Sequence, residues 1–385
     1  MADSDDDARG QAWPEGPDGR NPAARKTPAA AASAIPVETK ERPLSPARQG
    51  PFGEIAAGAR LTAGWATIPV QLLIYFVSIV PAVIVVIPVM ALYVINSGVD
   101  PSTLDPNALP EDMYLTLLVV LSVVQFPVWA LLVILLVRGF ERRSLASAGF
   151  RGPNVLGRYG AGFALGVAAV LVLTVFAAFV QPPDLSGEFA AATGFSEVED
   201  PNLGRLLTGP WLLLMFCAVA FFLVQGSCEE IAFRGWMMST LAARWGLGAA
   251  IAVNTIVFGS LHVHLFASGL VPGLFSIAAV TCVGLFMSLW AVYDRSLAGV
   301  CGAHGAFNAT SVVLGIIAFA AASPEAGPAE VLLDTIEQAT ATDGEASIAG
   351  GLLQLLVFAA FSGFAWWLIM RRAAREAAPK SQLEG

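Results

Sequence analysis

The chain has 385 residues, of which 56% are hydrophobic and only 13% charged, with a mean hydropathy of +0.67. Such a composition belongs to polytopic membrane proteins and excludes an ordinary water-soluble globular domain. The net charge of −9 comes from sharply segregated residues rather than one acidic surface, and nothing in the pattern points to nucleic-acid binding.

Residues 1–60 are rich in Ala, Pro, Asp and Arg and nearly free of aromatics, so they bury too little apolar surface to fold and read as a disordered tail. No short apolar segment near Met1 resembles a cleavable signal peptide. Eight apolar spans then follow, at about 65–95, 113–137, 160–180, 210–234, 247–264, 270–293, 297–322 and 347–370. Each is long enough to cross a hydrocarbon core of about 30 Å. The expected fold is therefore all-α, a polytopic membrane bundle of about eight transmembrane helices. Pro69, Pro81 and Pro88 in the first span are tolerable where neighbouring helices re-satisfy the backbone. The four cysteines lie in apolar segments without paired spacing and read as reduced packing residues.

Charge sets the orientation. Loops 96–112, 181–209 and 323–346 are acidic and hold a single basic residue, Arg205, whereas the other twenty of the 21 Lys and Arg fall on the opposite side. The positive-inside rule makes that basic side, with both termini, cytoplasmic.

Three short stretches carry the membrane-embedded ionisable residues: Glu229-Glu230-x-x-x-Arg234, Phe258-x-x-x-His262 with His264, and His304-x-x-x-Asn308. The five other spans contain no Asp, Glu, Lys, Arg or His. A charge at mid-bilayer costs about 2.5–3.5 kcal/mol on insertion scales, so such residues face the bundle interior and mark function. Glu229 and Glu230 point about 100° apart on a helix. Arg234, four residues after Glu230, is placed to pair with it, which leaves Glu229 free to face other helices. Alone, this group also fits a helix-end charge cluster whose side chains reach the interface. His262 reads equally as a packing histidine, and His264 should point to roughly the opposite side of its helix. His304 and Asn308 share one face, where they could donate two hydrogen bonds to one oxygen or simply clasp two helices. Were the fourth span to end at 234, Glu229 and His262 would lie at different depths; either the Glu-bearing helix continues through Trp236 and Met238 toward Leu241, or the fifth helix starts deeper.

In order and on successive apolar spans, these three motifs resemble the CAAX protease and bacteriocin-processing family of intramembrane endopeptidases. The resemblance covers about 210–320, with a weaker likeness over 60–375. It implies a membrane-embedded protease domain over 61–372, between the cytoplasmic tail 1–60 and a short cytoplasmic tail 373–385. It also implies that Glu229 activates water, His262 orients that water, and His304 and Asn308 stabilise the oxyanion. Glu230 and Arg234 would support the site and Phe258 would pack it. No cofactor is required in this reading. The runner-up is a zinc site of Glu229, His262 and His304 with Glu230 as base, which lacks a His-Glu-x-x-His helix. The expected partners are the lipid bilayer and a peptide or membrane-protein substrate. The Ala, Gly and Arg content points to a bacterium, where a prenylated substrate is not expected. A non-catalytic immunity or scaffold protein would keep the same residues, and a proton-coupled transporter would spread them along a pathway.

Overall fold

The structure is a computed structural model describing residues 47–98, 100, 111–180, 203–340 and 344–377. It is an all-α membrane bundle. Its helices are α1 (Thr67–Ser97), α2 (Glu111–Leu135), α3 (Val155–Val180), α4 (Gly209–Trp245), α5 (Leu247–Ser260), α6 (Leu270–Asp294), α7 (Ala298–Ala322), α8 (Pro328–Thr340) and α9 (Gly344–Ala377). Among the described residues, seven are long and apolar enough to cross a membrane, and the chain is a multi-pass membrane protein.

Two expected spans differ from what formed. The fourth runs 37 residues to Trp245 rather than ending at 234, with a π-helical segment over Ile231–Met238. The fifth is a 14-residue helix followed by a 3₁₀ turn, Val263–Ser268. At 1.5 Å per residue it spans about 21 Å, short of a hydrocarbon core.

Burial divides the helices. Leu73, Phe76, Ile84, Ile87 and Ile95 of α1 are exposed, as befits a lipid-facing helix. The second half of α4 is the opposite: Phe233, Arg234, Trp236, Met237, Met238 and Leu241 are buried almost completely, and α2, α5 and the 3₁₀ turn Leu145–Ala148 pack around them. Small residues let α7 come close to its neighbours. A Cβ on Gly226 of α4 would lie 2.7 Å from the Gly305 nitrogen, and one on Gly305 would lie 2.7 Å from Leu223 Cα. Gly162 and Gly166 of α3 likewise face the Gly299 and Ala303 carbonyls at distances that no side chain allows.

One end of the bundle gathers the arginines. The stretch 47–60, expected to belong to the tail, contains an antiparallel hairpin of β1 (Arg48–Gly50) and β2 (Gly53–Ile55), with Phe52 and Ile55 buried. The rest of that expected tail, 1–46, lies outside the described residues, as does 378–385. Arg48 donates to the Ala243 carbonyl at 3.0 Å, Arg151 to the Phe52 carbonyl, and Arg244 to the Leu61 and Thr62 carbonyls. Beneath them, Glu141 and Arg143 pair at 2.7 Å with both side chains sealed from solvent. Glu141 also accepts from the Thr62 amide at 3.0 Å and Trp236 Nε1 at 3.1 Å, and Arg143 donates to Ser147, Ser239 and Thr240. Burial pushes the Arg143 pKa down from the ordinary arginine value, and Glu141 opposes that shift. Glu141→Ala would leave the guanidinium buried and unpaired, and should destabilise the fold by about 3–5 kcal/mol in a detergent unfolding titration.

At the other end, Arg205 is spent on structure. It donates to the carbonyls of Ala320, Ser323, Pro324 and Ala326, closing the C-terminus of α7, and lies 4.8 Å over the Trp211 ring. The amphipathic helix α8, which the acidic loop 323–346 did not lead us to expect, seats Val331 and Thr335 beside this corner. Pro328 opens it, and the Glu330 carboxylate accepts from the Gly327 amide at 3.4 Å.

Candidate active site

The expected residues converge at mid-bundle, where α4 meets α7. Arg234 Nη1 donates to Glu230 Oε1 at 2.9 Å, the i,i+4 pair the spacing predicts, with both side chains fully buried. The same guanidinium donates to the Gly284 carbonyl at 2.8 Å and reaches Ser288 Oγ at 3.4 Å, so α6 holds its far side. Asn254 of α5 joins through Ser288 Oγ at 3.2 Å. Arg234 also lies 4.5 Å from the centre of the Phe258 ring, a cation–π contact.

His304 stands between the two glutamates. Its Nδ1 lies 2.7 Å from Glu230 Oε1, and since a carboxylate only accepts, that nitrogen carries the proton. Its Nε2 then faces Glu229 Oε2 at 3.7 Å, beyond direct hydrogen-bond distance. Glu230 thus serves Arg234 and His304 with one oxygen, a larger role than the support expected from the i,i+4 pairing alone.

Glu229 and Asn308 are joined by a residue not singled out in the sequence, Gln225. Its Nε2 donates to Glu229 Oε1, and its Oε1 accepts from Asn308 Nδ2 at 3.0 Å. That bridge fixes the orientation of both amides and leaves Asn308 a second N–H. The sequence signal was available: Gln225 is a lone amide in an apolar span, four residues before Glu229. Asn254 carried the same signal, a lone amide in its apolar span, whereas Ser288 had none.

Burial separates the two carboxylates. Glu230 is sealed at 0% exposure, whereas Glu229 keeps 9%, and Asn308 and His262 are half-buried. Glu229 is thus the carboxylate that a water can reach.

His262 is placed differently from the others. Its Nδ1 lies 3.0 Å from the Phe258 carbonyl, which can only accept, so Nε2 is the nitrogen with a lone pair to offer. No hydrogen bond joins it to Glu229, His304 or Asn308 among the described residues. Phe258 links it to them by packing, its ring centre 5.1 Å from that of His262 and 6.0 Å from that of His304. Phe258 is itself braced edge-on by Phe233 at 5.1 Å.

His264 does not point to the opposite side from His262; the two rings are 5.8 Å apart. The α-helical spacing behind that expectation ends at Ser260, and the chain then turns through Leu261 and His262 into the 3₁₀ segment. Burial and the neighbouring His262 lower the His264 pKa from the usual imidazole range.

Among the described residues, no three His, Cys, Asp or Glu side chains gather in a way that could hold a metal ion. Of the runner-up zinc ligands, Glu229 and His304 are close, but His262 does not join them.

Comparison with known proteins gives one family. The type II CAAX prenyl endopeptidase Rce1-like family matches residues 210–310, the stretch from the start of α4 through Asn308 that builds the whole cluster. No curated protein and no solved structure matches the chain. The match covers the three motifs and their order, so the segment that builds this site is similar to the type II CAAX prenyl endopeptidase Rce1-like family.

Proposed function

We propose that the protein is an intramembrane endopeptidase in which Glu229 activates the attacking water. The observation that carries this reading is the contrast between two adjacent carboxylates: Glu230 sealed against Arg234 and His304, Glu229 oriented by Gln225 but open to water. A group that takes a proton from water must be reachable by it, and one that positions a histidine need not be.

In the proposed step, water lies between Glu229 and His262 Nε2. Its oxygen adds to the carbonyl carbon of the scissile peptide while Glu229 takes its proton. Asn308, through its free amide hydrogen, and His304, as an imidazolium through its Nε2–H, donate to the oxyanion. Collapse breaks the C–N bond, and Glu229 returns the proton to the departing amine nitrogen. The substrate in this reading is a peptide or a membrane-protein segment. Purified protein should cleave members of a quenched membrane-peptide library, and cleavage should survive chelators; loss of activity on chelation, restored by zinc, would favour the metal reading. Asn308→Ala should lower kcat by about 10²–10³ with little change in KM, because an oxyanion donor acts mainly in the transition state.

The arginine-rich end faces the cytoplasm in this reading, with both termini there. A reporter fused after residue 200 or after 335 should therefore be extracytoplasmic. A cytoplasmic signal from either fusion would overturn this orientation.

A further inference from the structure

A cavity of about 620 Å³ opens at the arginine-rich end, away from the glutamate cluster. Its walls come from the β1–β2 hairpin, the turn before α3, the end of α6 and the end of α9. Four guanidinium groups line it, Arg151, Arg158, Arg295 and Arg372, against two carboxylates, Asp294 and Glu376. The pairing is uneven. Arg158 bonds Asp294 at 2.7 Å, and Arg295 and Arg372 share Glu376 at 3.1 and 3.0 Å. Arg151 donates to the backbone carbonyl of Phe52, which neutralises no charge. The lining thus carries an excess of two positive charges, on side chains whose planar forks match phosphate oxygens. Leu247, Val292 and Ile369 add an apolar wall beside the charges. The volume lies within the ordinary range for a small-ligand site, about 300–1,000 Å³.

We infer that this cavity binds a phosphate-bearing anion, and that the ligand is the head group of an anionic membrane lipid. The cavity lies at the ends of membrane helices α6 and α9, where a phosphodiester would meet the arginines and its glycerol and first methylenes the apolar wall. Basic pockets between membrane helices on the side of the anionic leaflet have this chemistry. The inference stands apart from the proteolytic reading, because no residue of the glutamate cluster lines the cavity.

The test uses the full chain in detergent, titrated with fluorescent phosphatidylglycerol and, in parallel, phosphatidylcholine. Tighter binding of phosphatidylglycerol is expected. Arg151→Gln and Arg372→Gln should each weaken it about tenfold, the loss expected of one charge-assisted contact. Arg142→Gln, an exposed arginine at the same end but outside the cavity, should bind as the parent does. Having two variants keeps the test decisive should one fail to fold, as checked by its elution profile. Displacement of the lipid by millimolar glycerol 1-phosphate or inorganic phosphate would keep the phosphate site but assign it to a soluble ester. Equal affinity for the two lipids, or an equal loss in Arg142→Gln, would overturn the site.

Discussion

Glu229→Gln is expected to remove peptide cleavage while leaving the protein folded. The substitution keeps the shape, and the new side-chain oxygen still accepts from Gln225, so the bridge to Asn308 survives. What disappears is the proton acceptor that the attacking water needs. General-base catalysis contributes typically about 10²–10⁴ in rate, and turnover should fall by that much or more. The melting temperature should stay close to the parent's, since His304 Nε2 stands 3.7 Å from Glu229, beyond hydrogen-bond distance, and the carboxylate remains partly open to water. Measuring kcat and KM beside thermal unfolding separates the readings. A large drop in kcat at unchanged stability and substrate affinity supports a protease. Full biological function in the Glu229→Gln protein would instead assign the cluster to a binding or scaffold role.

What the sequence reveals about this site follows from how local each feature is. The shared face of His304 and Asn308 depends only on α-helical spacing, and the Glu230–Arg234 pair formed as expected although Arg234 lies in the π segment. The convergence of α4 with α7 was legible only as a concentration of costly polar residues in three apolar spans. Its physical basis is the close approach at Gly226 and Gly305. Readings that assumed continuous α-helix failed where the helix changes. The π segment after Glu230 carries α4 on to Trp245, which resolves the mismatch of depth between Glu229 and His262 in favour of the longer helix. The early end of α5 brings His264 beside His262. The hairpin at 48–55 escaped notice because composition averages over a window. Phe52 and Ile55 are two apolar residues in a polar stretch, and the burial of Phe52 depends on the distant Gly149, over which its ring packs.

Glu230→Gln should fail in a different way from its neighbour, in stability as well as rate. Glu230 Oε1 is the anionic partner of a fully buried guanidinium and the acceptor for His304 Nδ1. Neutralising it leaves Arg234 with the Gly284 carbonyl and Ser288 Oγ but no countercharge. Removing one partner of a buried pair costs about 3–5 kcal/mol, mostly the penalty of the charge left behind. Substituting Arg234 by Leu as well removes that orphaned charge. The double variant should therefore be less destabilised than the sum of the two single variants, a coupling that a double-mutant cycle in detergent unfolding measures directly. Cleavage should not return with it, because His304 still lacks the carboxylate that fixes its proton on Nδ1 and turns Nε2 toward Glu229. Recovery of both stability and turnover would reduce Glu230 to a structural counterion. Additive destabilisation would show that the pair is not energetically coupled, and would remove the basis for assigning the two glutamates opposite tasks.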